Sequence, residues 1–308
     1  MESGKSCLKQ RSVLIMSKTH YKNKNTIGDY FIIFIMLILV ALCILPVLNV
    51  VASSLSSSTA LMRGDVSFWP VEFQFDAYRE IFNDARFLRS MVWTTALTAI
   101  VVAINLVMTT LCAYPLTYMS LKGRKVITFF IVFAMLFSAG LIPTFVLFRD
   151  LRLLNNPLVL ILPGSLSVFN VILMRNFFMG IPESLKESAE IDGAGPMTIL
   201  WRIFIPLSLP SFATIGLFVA IGRWNGFLDA MFFMRGAPEW HPTQMLLFNI
   251  LQNIVNIDPL DPGSTAPPGW GNVTRNAATV IAMVPIICVY PFIQKYFVKG
   301  ATLGAVKG

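Results

Sequence analysis

The sequence predicts an all-α integral membrane protein built on six transmembrane helices. Three observations predict it. Of the 308 residues, 56% are hydrophobic and 13% charged, where soluble domains carry about 25% charged residues, and the mean hydropathy is +0.69. The apolar residues gather in runs long enough to cross a bilayer core, which takes about 20 helical residues. Between the runs, basic segments alternate with mixed or acidic ones, as in a chain threaded repeatedly through a membrane.

Residues 1–28 are polar and basic, with Lys5, Lys9, Arg11, Lys18, Lys22 and Lys24. They read as a cytoplasmic N-terminal segment. The first span, 30–52, is uncharged and too long for the core of a cleaved signal sequence. A polar loop follows, holding Phe68-Trp69-Pro70, Phe73 and Tyr78, aromatic residues suited to a membrane interface. The second span is 90–116. Lys122, Arg124 and Lys125 make a basic turn before the third, 126–148. Arg149, Asp150 and Arg152 mark a short loop before the fourth, 157–178. A polar segment, 182–206, separates it from the fifth, 207–234, which contains Arg223 and Asp229. The loop 235–274 leads to the sixth span, 276–294, and 299–308 is a short cytoplasmic tail. Residues 29–298 thus form one transmembrane domain. Six spans place both termini on one side. With the termini inside, the inner segments carry nearly twice as many Lys and Arg as the outer loops, which puts the termini and the segment 182–206 in the cytoplasm.

Composition also excludes several functions. The net charge of +8 is spread over loops beside apolar runs, so it sets topology and makes no nucleic-acid patch. Cys7, Cys43, Cys112 and Cys288 have no metal or disulfide spacing, and three lie in apolar runs, where they are expected as buried small hydrophobes. His20 and His241 have no catalytic partner in the pattern. Gly4-Lys5-Ser6 matches the end of a phosphate-binding loop, but no strand or earlier glycine precedes it, so it reads as no nucleotide site.

The segment Pro182–Pro210 organises the rest. Ser184 and Glu187 have the spacing of a capping box. Leu185, Ala189 and Ile191 recur at helical spacing, and Gly193-Ala194-Gly195 ends the helix. Pro196 suits the first turn of a second helix, carrying Ile199, Leu200 and Ile203 until Pro206 stops it. The expected form is helix, glycine turn, helix.

This segment resembles the EAA loop of permease subunits in ATP-binding-cassette importers. The family pattern is Glu-Ala-Ala, three residues, Gly, nine residues, Ile, one residue, an apolar residue and Pro. Here it reads Glu187-Ser188-Ala189, Gly193, Ile203 and Ile205-Pro206, with Ser188 in place of the first Ala. The tail from Lys299 to Gly308, Phe68-Trp69-Pro70 with Tyr78, and Trp224-Asn225 are similar to carbohydrate-uptake class 1 permeases. The likeness is to the smaller permease of the maltose transporter and to Gram-positive oligosaccharide permeases.

The resemblance implies a type I importer permease in the cell membrane, with no catalytic activity and no cofactor of its own. ATP is bound by two partner ATPase subunits, and a second, different permease and an extracellular solute-binding protein complete the transporter of a carbohydrate. Glu187, Ser188, Ala189, Asp192, Gly193, Ala194, Ile203 and Pro206 are implied as the ATPase-coupling residues, the small ones seated in an ATPase cleft. The segment Asp258–Gly271 is implied to reach the solute-binding protein, and the tail to touch the ATPases. Sugar chemistry calls for polar and aromatic walls, for which Asn105, Asn170, Trp224 and Asn225 are candidates; for each Asn an interhelical hydrogen bond is the competing and favoured reading. Arg223 and Asp229 are six residues apart, off one helical face, so no direct pair between them is expected. The apolar residues of 242–256 are expected to lie at the membrane surface. An ion-coupled secondary transporter is the alternative; it calls for membrane-embedded acids on several helices, and only Asp229 is one.

Overall fold

The computed structural model describes residues 27–137, 139–255 and 271–305. Among the described residues every regular element is helical. In order they are α1 (Ile27–Ser54), α2 (Ser58–Arg63), α3 (Asp76–Asn83), α4 (Ala85–Ala113), α5 (Arg124–Leu136), α6 (Leu141–Asp150), α7 (Leu158–Ile161) and α8 (Val168–Met179). Then come α9 (Glu183–Ile191), α10 (Pro196–Ile199), α11 (Ile205–Leu207), α12 (Leu209–Asn225), α13 (Leu228–Phe233), α14 (Thr243–Val255) and α15 (Asn272–Ala305). The chain divides into two units at Asn49/Val50. Most of α1 belongs to the first. It is uncharged beyond Asp29 and carries Pro46 within it.

The second unit, from Val50 onward, is arranged around α4. Asp84 caps this 29-residue helix, its carboxylate accepting the Arg86 N–H at 2.8 Å. Hydrogen bonds from the Arg86 guanidinium hold that carboxyl below the usual range. Helix α4 packs against α12, α8, α14, α3 and α7, and α12 packs in turn on α15. Three apolar clusters fill the unit. One joins Ala113, Tyr114, Val171, Met174, Phe178, Ile199, Phe204 and Ile215. A second joins Leu97, Val101, Leu160, Phe233, Met234 and Met245. The third sets Ala277, Ala278 and Ala282 of α15 against Ile81, Phe87 and Leu247; small residues let helices approach closely in a membrane protein.

Only some of the expected spans are continuous. Among the described residues three helices are long and apolar enough to cross a membrane alone, within 28–54, 85–117 and 272–291, and up to five crossings result if each bent pair is one span. The third expected span breaks into α5 and α6 at Gly140, whose φ is +82°, and Pro143 follows in the first turn of α6, where its missing N–H costs nothing. The fourth is two helices, α7 and α8, separated across Pro163-Gly164. The fifth begins after a bend of 78° before Leu209 and breaks again at Gly226. The sixth is longer than expected at both ends, with Pro285 and Pro291 inside it, and its helix runs into the expected tail as far as Ala305. Cys112 is half-buried, but Cys43 and Cys288 are exposed; both sit on apolar helices, whose outward faces admit an apolar thiol as readily as a core does.

The segment 234–243 is tied to α4 by polar contacts that composition does not display. Trp93 Nε1 donates to Trp240 O at 2.8 Å, with the two indoles edge to face. Helix α14 does not lie free on a surface: Met245, Leu247 and Ile250 are buried. Its first N–H, on Thr243, donates to Thr94 Oγ1 at 2.8 Å, and Thr94 Oγ1 donates to Ser90 O at 2.7 Å. Both threonines are fully buried. Thr94→Val keeps the shape and orphans the start of α14, a loss of about 1–3 kcal/mol. Its melting temperature in detergent should fall clearly below that of Thr95→Val, whose hydroxyl is exposed and bonds only Met91 O. Equal shifts would refute the capping role.

Candidate functional site

Two features stand out: the polar segment 182–206 and a polar cavity. The segment folds as helix, glycine turn, helix. Helix α9 starts at Glu183 on Pro182, without a side-chain cap. Ser184 is therefore inside the first turn, and the expected capping box is not formed: Pro182, with φ −56° and ψ 129°, sets the helix entry itself. At the other end Gly193 has φ +79°. Its N–H donates to Glu190 O at 3.1 Å and the Ala194 N–H to Ala189 O at 2.9 Å. These paired bonds close a Schellman motif, whose C′ residue must be left-handed. That is the physical need for glycine here. Pro196 opens α10. A π turn, Leu200–Phe204, follows and runs into α11. Pro206 lies within α11 and does not end it; with no N–H to give an i−4 carbonyl, it belongs with the widened turn before it. The break comes at Ser208.

Directions of side chains on this bracket differ from expectation. Ala189, Ala194 and Ile203 are partly buried against the chain's own core, so the small residues seat the bracket on its own spans. Glu187, Ser188, Asp192, Gly193 and Pro206 are exposed. The most exposed apolar residues of 182–206 are Ile191, 87% exposed, Trp201 and Met197.

The bracket is held by a group that the sequence pattern does not single out. Tyr114, at the end of α4, is buried. Its hydroxyl donates to Pro196 O at 2.9 Å and meets the Tyr118 hydroxyl at 2.6 Å. Its ring packs edge to face on Phe204 and Phe178. Lys186 Nζ of α9 lies 3.8 Å over the Tyr118 ring, a cation–π contact, and 3.8 Å from Glu190. Tyrosines four apart at the end of an apolar run were the available signal. The end of α4, the end of α8, the π turn and α9 thus meet at one point.

The cavity, about 360 Å³, is lined by Asn105, Gly164, Ser167, Asn170, Gly222, Arg223 and Asp229 among others. Asn105 Oδ1 accepts from Asn170 Nδ2 at 3.1 Å and from Thr109 Oγ1 at 3.2 Å, while its Nδ2 donates to Gly164 O at 2.9 Å. Both Asn residues are therefore interhelical bonds and cavity wall at once. Trp224 is elsewhere: it donates to Ala282 O at 3.1 Å and lines an apolar groove of about 330 Å³ with Pro285 and Tyr290. Asn225 is exposed and lines neither. Arg223 and Asp229 do pair, Nη1 to Oδ2 at 3.1 Å. The helical-spacing argument fails because α12 ends at Asn225 and α13 restarts at Leu228. The expected loop segment Asp258–Gly271 lies almost wholly outside the described residues, as does the end of the tail.

Apolar spans, a polar cavity between them and a rigid bracket braced against their ends define the membrane subunit of a transporter. The chain belongs to the family described as binding-protein-dependent transport system inner membrane component, matched over residues 105–302. It is 39% identical to the polygalacturonan/rhamnogalacturonan transport system permease protein of Bacillus subtilis, over 92% of this chain and 100% of the relative. It is 28% identical to the arabinooligosaccharides transport system permease protein of Halalkalibacterium halodurans, over 92% of this chain and 95% of the relative. A chain of a bacterial ABC transporter involved in import of the acidic polysaccharide alginate superposes with a TM-score of 0.79. That chain is 35% identical, with 90% of this chain and 99% of the other covered.

The Tyr114 junction makes a local prediction. Tyr114→Phe keeps the ring contacts and loses the bond to Pro196 O, about 1 kcal/mol. Hydrogen exchange should quicken across 183–206 while α4 stays protected. Exchange unchanged in the segment would show that the hydroxyl does not hold it.

Proposed function

We propose that this chain is one permease of an ATP-driven oligosaccharide importer, forming half of the translocation pathway with a second, different permease. The observation that carries this reading is the Schellman-closed turn at Gly193. A helix ended by a fixed backbone turn, seated inward on Ala189 and Ala194 and presenting Ile191, Met197 and Trp201 outward, suits docking on a moving partner. Two ATPase subunits supply that motion, bind the ATP and take the bracket on their surface, Glu187, Ser188 and Asp192 lying beside the contact. An extracellular solute-binding protein delivers the sugar. Both termini and the bracket are cytoplasmic. ATPase closure pulls on the bracket, Tyr114 passes the movement to α4, and the spans rock to expose the cavity to alternate sides. Asn105 and Asn170 lie on the sugar path; Trp224 acts by packing α12 on α15. Relatives named for polygalacturonan, rhamnogalacturonan and arabinooligosaccharide transport support a carbohydrate cargo.

Asp229 is the one carboxylate lining the cavity, and it is already paired with Arg223, which disfavours coupling to an ion gradient. In proteoliposomes with its partner permease, ATPases and binding protein, the chain should import oligosaccharide with ATP inside. A proton ionophore should leave the rate unchanged; uptake that needs the gradient and not ATP would replace this reading by the ion-coupled one.

Gly193→Val tests the bracket. Nothing lies within 4 Å of a Cβ at Gly193, so the strain comes from φ +79°, about 1–2 kcal/mol. The variant should reach normal membrane levels, yet release the ATPases or leave their hydrolysis unresponsive to loaded binding protein. Gly195→Ala is the control: it has φ −71° and open space around it, and should transport normally. Normal transport by both would remove the coupling role.

A further inference from the structure

The buried guanidinium of Arg223 is only half used. The residue is 7% exposed and lines the polar cavity. Its Nη1 donates to Leu160 O at 2.9 Å and to Asp229 Oδ2 at 3.1 Å. Nε and Nη2 are both buried and have no hydrogen-bond partner among the described residues. Buried donors inside a protein are almost always satisfied, and an ionised side chain at membrane depth marks a function. Nε and Nη2 form one edge of a planar fork, whose matching acceptor is a carboxylate taken through two parallel bonds. A lysine or an amide in this place has no such edge.

Glycine at 226 keeps side-chain bulk off that edge. A Cβ on Gly226 would sit 3.2 Å from Nη2. Gly222, one residue before Arg223, lines the cavity and has nothing within 4 Å of where its Cβ would be. The same cavity is lined by Ser167, Asn105 and Asn170, groups that exchange hydrogen bonds with hydroxyls. Asp229 is the looser half of the ion pair, its side chain 42% exposed against 6% for Arg223.

We propose that this cavity is a binding site for a carboxylate-bearing sugar, a uronate unit whose carboxylate docks on Nε and Nη2 of Arg223. This rests on the permease reading above. Two carboxylates on one guanidinium share a single positive charge, so the incoming acid loosens Asp229, which turns to water. The return of Asp229 to Arg223 then weakens the hold on the sugar and lets it leave. A resident carboxylate makes the site selective for acids and still transient.

The test uses the assembled complex of permeases and ATPases in lipid nanodiscs without binding protein, so that only the membrane subunits select. Trigalacturonate and trimannuronate are titrated by calorimetry, each against its fully methyl-esterified form. The acids should bind at least tenfold tighter than the esters. Arg223→Gln should erase the difference and Arg223→Lys keep part of it. Asp229→Asn should tighten the acids severalfold, leave the esters unchanged and slow uptake in proteoliposomes, a split that a purely structural ion pair does not produce. Should Arg223→Gln fail to assemble, Gly222→Leu keeps the guanidinium and fills the cavity; it should abolish acid binding. Equal binding of acid and ester by the wild type overturns the site, as does parallel loss of both in Arg223→Gln. If ATP-driven sugar uptake persists in either case, the permease reading stands without the carboxylate site. If no sugar is imported at all, both fall.

Discussion

A carbonyl released by a broken helix inside a membrane must find a donor, because no water is there to supply one. Much of this fold answers that requirement. Helix α7 stops at Ile161, and the Leu160 carbonyl is taken by Arg223. The chain turns at Pro163-Gly164, and the Gly164 carbonyl is taken by Asn105. Past the end of α4, the Leu116 carbonyl accepts from Arg175 at 3.3 Å. Beyond α13, Met234 O meets His241 Nε2 at 2.9 Å and Trp240 O meets Trp93. The long polar side chains are thus fastened to the breaks. The breaks in turn leave the space that the cavity occupies, since two straight helices in place of α7–α8 and α12–α13 would close it.

Legibility in the sequence followed the range of the interaction. The turn at Gly193 was readable because its cause is local: a helix of fixed period, a residue needing positive φ, and a proline to begin again. Apolar spans were readable as lengths of hydrophobic chain. Their interruptions were not, because composition is equally apolar on both sides of Gly140 and Ser208. The Arg223–Asp229 pair was misread for the same reason; a spacing argument assumed one helix where Gly226 makes two. The inward direction of Ala189 and Ala194 depends on which surface the bracket rests upon. The Tyr114–Pro196 bond joins residues 82 apart in sequence, and no local pattern announces it.

The bracket and the cavity also differ in how they tolerate change. The bracket is defined by backbone: a Schellman turn, a π turn and two prolines. Its exposed side chains matter as surface. The cavity is defined by side chains that already hold one another, Asn170 to Asn105 to Gly164 on one wall and Arg223 to Leu160 on the other. Altering one member there moves its neighbours, which makes such a site hard to retune one residue at a time.

The length of α4 has a mechanical meaning. Its 29 residues make a rod about 43 Å long at about 1.5 Å per residue. One end is gripped at Tyr114, and near the other Trp93 and Thr94 hold the segment around Trp240 and Thr243. A tilt of about 5° about the gripped end displaces the far end by about 4 Å over such a length. The helix is therefore a lever pivoted at the Tyr114 junction, and a small tilt there becomes, at the end near Trp93 and Thr94, a shift wider than a hydrogen bond.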